Sequence, residues 1–121
     1  MVHTVLVVED EADLREMMRE ALEWNGYAVV TADDGRTALE AIGRIEQLCL
    51  VLLDLLMPGM NGLEFFEEMR KRPELAKVPV VVHSSAPALA PAGVTRVLQK
   101  PLELDRLLSV VREYCAASVV S

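Results

Sequence analysis

The 121-residue sequence predicts a three-layer α/β/α sandwich, in which helices cover both faces of a five-stranded parallel sheet of order 2-1-3-4-5 and the fourth helix is short or missing. Three observations carry this. Strand-like and helix-like stretches alternate along the chain. Each strand-like run is almost continuously apolar, as strands buried on both faces must be. The alternation breaks once, between Ser85 and Val94, where Pro87 and Pro91 leave no room for a regular helix and one turn or a loop is expected. Right-handed crossovers make this strand order the most economical one, and the length suits a single domain over residues 1–121.

Residues 4–8 form a β-branched first strand that stops at Glu9, Asp10 and Glu11. From Ala12, the spacing of Leu14, Met17, Met18, Ala21 and Leu22 is helical, and Gly26 supplies the stop. Residues 27–31 give the second strand. Asp34 can cap a second helix with Ala38, Leu39, Ile42 and Ile45 inward, which Gly43 weakens. Residues 48–53 form the third strand, ending at a single carboxylate, Asp54, before a turn built from Pro58, Gly59, Asn61 and Gly62. Asn61 with Glu64 reads as the cap of a third helix that faces Leu63, Phe66 and Met69 inward and ends by Pro73. Residues 78–83 and 94–98 are the last two strands. A final helix carries Leu104, Leu107, Leu108, Val111 and Cys115 on its inner stripe.

Composition narrows the function. Apolar residues make up 52% and aromatic residues only 4%, so the core must be mostly Val, Leu, Ala and Met. A formal net charge of −7 argues against direct nucleic-acid contact by this domain, while leaving room for a DNA-binding partner. No apolar run reaches the roughly 18 residues that span a bilayer, and no basic leader opens the chain, so the expected location is cytoplasmic without membrane contact. Cys49 and Cys115 read as small core residues in a reducing compartment. With two histidines and no CxxC, neither an imidazole nor a thiolate metal site is indicated.

In such a sheet the functional edge lies at the carboxyl ends of the strands, beside the switch point between strands 1 and 3. Glu9, Asp10 and Asp54 meet there, and like charges a few ångströms apart repel by on the order of several kcal/mol. A cation must compensate. An oxygen-only donor set suits Mg²⁺, Lys100 after the fifth strand can reach over the same edge, and Ser84 or Ser85 ends the fourth strand with a hydroxyl. Acids, a metal, a lysine and a hydroxyl around a central Asp constitute a phosphoryl-transfer site with Asp54 as nucleophile. Glu11 and Asp13 read as favourable charges at a helix N-terminus, and His83 as a packed strand residue.

With these residues in place, the chain resembles a bacterial response-regulator receiver domain of two-component signalling, a flavodoxin-like fold. The resemblance rests on VLVVEDE at 5–11, LDLLMPGMNG at 53–62, VPVVVHSS at 78–85 and QKPL at 99–102. It implies that Asp54 is the phospho-acceptor, that Glu9, Asp10, Asp54 and the backbone carbonyl of Leu56 hold Mg²⁺, that Ser84 is the switch hydroxyl, and that Lys100 binds the phosphoryl group. It further implies a histidine kinase or phosphotransfer protein as donor, and an output partner or appended output domain. The chain would then be a signalling module rather than an enzyme, catalysing only its own phosphorylation and slow dephosphorylation.

Departures from the family pattern sharpen the expectations. Glu9 stands where Asp is commoner, and Val97 stands where an aromatic commonly swings inward on activation. The Pro and Ala rich segment replaces a helix that ordinarily supports dimerisation or partner binding, so output is expected through another face or through an order change in residues 86–93. Leu56 and Ala86 are apolar and cannot orient a hydrolytic water, which implies slow self-dephosphorylation. The tail, residues 116–121, fits a stand-alone receiver or a cut from a longer chain, its apolar end favouring the latter. A phosphatase of the haloacid dehalogenase kind would need an acid at Leu56. The remaining alternative is a phosphorylation-independent pseudo-receiver that acts as a protein-binding module.

Overall fold

The computed structural model describes residues 3–57 and 59–115. In chain order its elements are β1 (Thr4–Val8), α1 (Ala12–Trp24), β2 (Ala28–Ala32), α2 (Gly35–Ile42), β3 (Leu48–Asp54), α3 (Gly62–Arg70), β4 (Val80–Ser84), β5 (Arg96–Gln99) and α4 (Leu104–Tyr114). One turn of 3₁₀ helix precedes β4 at Pro73–Leu75 and another follows it at Pro87–Leu89. All strand pairs are parallel, and the sheet order is β2-β1-β3-β4-β5, as the sequence predicts. The expectations placed on Pro58 and on both chain ends fall outside the described residues.

Strand alternation sends successive side chains to opposite faces, and each face buries its own core. Leu6, Val8, Val51, Leu53, Val80 and Val82 pack with Ala38, Ile42, Phe65 and Met69 under α2 and α3. Val5, Val7, Leu50, Leu52 and Val81 pack with Met18, Leu22, Leu107, Val110 and Val111 under α1 and α4. Double burial is why the strands are apolar throughout.

Local chemistry sets most boundaries. The Asn61 side chain accepts the Glu64 amide at 3.0 Å, and Glu64 Oε1 accepts the Asn61 amide at 3.2 Å, a complete capping box at the start of α3. Asp34 accepts the Thr37 amide at 2.8 Å and caps α2. That helix stops at Ile42 with Gly43 as its cap, so Ile45 packs from the following loop and not from the helix. Strands β4 and β5 each begin two residues later than the spacing predicts. Phe65, which the inner-face reading passed over, is fully buried, whereas Leu63 is half-buried and Leu104 is exposed.

Where a fourth helix of the alternation would lie, there is only the turn at Pro87–Leu89. Arg70 braces this segment: its guanidinium stacks 4.7 Å above the Phe66 ring, Nη2 donates to Gly93 O at 3.1 Å, and Nη1 donates to Ala76 O at 2.7 Å. Gly93 has φ +96°, a left-handed conformation that a side chain would strain.

The cysteines depart from expectation. Cys49 and Cys115 are joined in a disulfide that ties the start of β3 to the residue capping α4, and no free thiol remains among the described residues. The pairing escapes the sequence because the two lie 66 residues apart, one in an apolar run and the other on a helix-like C-terminal segment.

Candidate functional site

Register alone assembles the site. Val8 lies opposite Leu53, so the next residues, Glu9 and Asp54, leave adjacent strands side by side. Asp54 lies opposite His83, and Ser84 opposite Gln99, which places Lys100 at the end of the neighbouring strand. The Lys100 amide donates to Ser84 O at 2.9 Å, and the Lys100–Pro101 peptide is cis.

Glu9 and Asp54 are both buried, while Asp10 is exposed. One carboxylate oxygen from each can be chosen so that all three lie within 4.8 Å of one another. Lys100 Nζ donates to Glu9 Oε1 at 2.8 Å and lies 3.5 Å from Asp54 Oδ2. Glu9 Oε2 accepts the Glu11 amide at 3.0 Å, and Asp54 Oδ1 lies 3.4 Å from the Leu56 amide.

Electrostatics follow from this crowding. Burial, then the charge of Glu9, pushes the Asp54 carboxyl up to about 7, against the opposing pull of Lys100. Burial pulls the Lys100 ammonium down, but its hydrogen bond to Glu9 and the charges of Glu9 and Asp54 win and hold it above the ordinary lysine range. The pocket therefore wants more positive charge than one lysine supplies. Its donor set is entirely carboxylate, with Asp10 on the open side, which fits a hard divalent cation.

Ser84 is fully buried, and its Oγ accepts the Ala86 amide at 2.9 Å, so the hydroxyl is engaged in its own turn. Leu56 exposes 51% of its surface beside Asp54. Val97 is half-buried against the core under α2 and α3. His83 is fully buried, 3.4 Å from Glu9 Oε1 and near the Val8 and Leu52 carbonyls, without good hydrogen-bond geometry to any of them. Burial and the Lys100 charge lower it to about 3, and the ring is neutral.

Two supports were not apparent in the sequence. Arg15 Nη1 donates to Glu9 O at 2.9 Å and Asp10 O at 3.4 Å, fixing the backbone that carries both acids. Its place on the polar side of α1 gave no signal beyond a spacing of five from Asp10. Gly62 packs so closely that a Cβ there would meet Asp54 O at 2.2 Å and the Leu55 Cα at 2.8 Å. From the sequence it reads only as a turn glycine.

Comparison with known proteins adds the family. A model of the family described as "Response regulator receiver domain" matches residues 5–112. The response regulator MprA of Mycolicibacterium vanbaalenii is 34% identical over 114 residues, covering 89% of this chain and 48% of that protein. The chain thus spans about half the length of the curated relatives it matches so broadly. Among solved structures, Vibrio cholerae chemotaxis protein CheY4 aligns with TM-score 0.84 and 28% identity, over 95% of this chain and all of that one. Response regulator TrrA of Thermotoga maritima, solved in complex with Mg(2+)-BeF, aligns with TM-score 0.83 and 29% identity, over 94% and 100% respectively.

Proposed function

Since the chain belongs to the response regulator receiver family, a phospho-accepting module of two-component signalling, we propose that Asp54 is its acceptor and that a histidine kinase or phosphotransfer protein is its donor. The observation that carries this is the convergence of Glu9, Asp10, Asp54 and Lys100 at one sheet edge. In the transfer, Asp54 Oδ attacks phosphorus as the bond to the donor imidazole breaks, and the phosphoryl group passes to the carboxylate.

Glu9, Asp10, Asp54 and the Leu56 carbonyl would hold Mg²⁺, which when bound neutralises charge on the acids and on the phosphoryl oxygens. Lys100 leaves Glu9 to face the incoming phosphoryl oxygens, and its positive charge favours the ionised, nucleophilic form of Asp54. Ser84 exchanges its bond from the Ala86 amide for one to the phosphoryl group, and the freed amide loosens the segment at 86–93. With Val97 in place of an aromatic, this segment and not a ring flip carries the change to an output partner or appended domain. Leu56 and Ala86 offer no group to orient water, so the phosphorylated state decays slowly. Beyond this self-phosphorylation and slow loss, the chain has no catalytic role.

Intact mass after incubation with Mg²⁺ and acetyl phosphate tests the proposal, run beside Asp54→Ala and a sample with EDTA. One phosphoryl adduct requiring both Asp54 and the metal is the expected result. No adduct on a folded, Mg²⁺-bound chain would move the reading to a phosphorylation-independent binding module.

A further inference from the structure

We propose that Cys49 and Cys115 form a reversible thiol–disulfide site, a redox input at the end of the sheet opposite the phosphoryl pocket. It does not rest on the phosphoryl reading. The bond joins two elements that already meet: Cys49 is the second residue of β3, Cys115 caps α4, and their Cα atoms lie 5.6 Å apart, within the ordinary range for a bridge.

The end of α4 is held at this place by other contacts. Leu107, Val110 and Val111 are buried against the sheet, the Tyr27 hydroxyl donates to Cys115 O at 3.2 Å, and the Cys115 amide donates to Val111 O at 2.7 Å. The fold therefore does not need the bond in order to bring the sulfurs together. Opening it removes the covalent tie between β3 and the residue capping α4 while these contacts and the core persist.

Access is one-sided. Cys49 is half-buried, whereas Cys115 is 2% exposed, so an external thiolate meets the Cys49 sulfur first. In the reduction, a dithiol's first thiolate attacks Cys49 Sγ, and the S–S electron pair leaves on Cys115, which takes up a proton. The second thiol of the dithiol then resolves the mixed disulfide, and the Cys49 thiolate takes up a proton. Two electrons and two protons pass from dithiol to chain, leaving two thiols and an oxidised reductant. In reoxidation by oxidised glutathione, one chain thiolate attacks its S–S bond and releases one glutathione thiol, and the second chain thiolate then displaces the other, leaving the chain disulfide and two glutathione thiols.

The test uses the full chain, equilibrated with oxidised glutathione or with a dithiol, followed by intact mass, iodoacetamide labelling and thermal melting. The oxidised form is expected 2 Da lighter than the reduced form, without label, and the reduced form takes two labels in denaturant. Closing a loop of this length constrains the unfolded chain, so reduction is expected to lower the melting midpoint by roughly 10 °C while leaving a cooperative transition. A Cys49→Ser, Cys115→Ser double variant is expected to melt with the reduced form in either buffer. Separate glutathione adducts on the two cysteines, an unchanged midpoint, or a reduced chain without a cooperative transition would each overturn the proposal. Acetyl phosphate labelling of both redox forms reads the other site separately, as a gain of one phosphoryl mass.

Discussion

At the carboxyl ends of β1 and β3 two buried carboxylates, Glu9 and Asp54, crowd one ammonium, Lys100, with an exposed third acid beside them. At the amino ends of the same sheet, the Cys49–Cys115 bond and the Tyr27 hydroxyl fasten α4 beside an uncharged, mostly aliphatic core. One end holds unrelieved charge and the other holds cross-links. Cross-links placed away from the charged end leave that end free to keep like charges together, as the proposed cation and phosphoryl site requires.

The most severe way to break this division is to disturb the contact that seats Asp54. Gly62→Ala drives a Cβ into the Asp54 carbonyl and is expected to cost about 3 kcal/mol or more in urea unfolding. An unchanged midpoint would show that α3 shifts freely and does not position the strand end.

Removing charge from the same residue should act in the opposite direction. The folded Asp54 carboxyl lies raised to about 7 against its ordinary 3.8, so between those values the folded state binds more protons than the unfolded chain. Its contribution to stability is therefore greatest at low pH and is lost as pH rises from about 4 toward 7. Asp54→Asn is expected to gain roughly 1–3 kcal/mol over the parent chain at pH 7 in EDTA, with the gain vanishing near pH 4. Equal stability of the two at both pH values would contradict the crowding.

A smaller effect is expected from the support behind the acids. Arg15→Ala leaves every carboxylate in place but frees the backbone of Glu9 and Asp10, and should weaken Mg²⁺ binding about tenfold by calorimetry. Undiminished affinity would assign Arg15 to the helix surface alone. At the cross-linked end, Trp24 is 91% exposed, and Trp24→Ala should change stability by no more than about 0.5 kcal/mol. A larger loss in chemical denaturation would reveal a contact there that matters.

The sequence disclosed the charged end far better than the cross-linked one. Asp54, Glu9 and Asp10 each terminate an apolar run, and a parallel sheet brings such termini to one edge, so a one-dimensional pattern carries three-dimensional information. Asn61 with Glu64 and the two prolines at 87 and 91 were legible because caps and ring constraints act within a few residues. Cys49 and Cys115 were not, because their proximity depends on how α4 packs on β3, and neither neighbourhood encodes it. Arg15 looked like any polar helix residue, since its partners are backbone carbonyls that any sequence supplies. Phe65 escapes the sequence reading because the buried face of α3 starts at Gly62, one residue before Leu63, and so includes Phe65 as well as Phe66 and Met69.

A divalent cation acting through Asp54 would relieve the charge crowding at the carboxyl end. The most direct measurement is the urea midpoint of the parent chain and of Asp54→Asn at pH 7.5 as Mg²⁺ is raised from zero. The parent is predicted to gain about 2–3 kcal/mol at a hundredfold excess over its dissociation constant and to close the gap to the variant, which responds weakly. Equal gains for both chains, or none for the parent, would show that no cation relieves this crowding through Asp54.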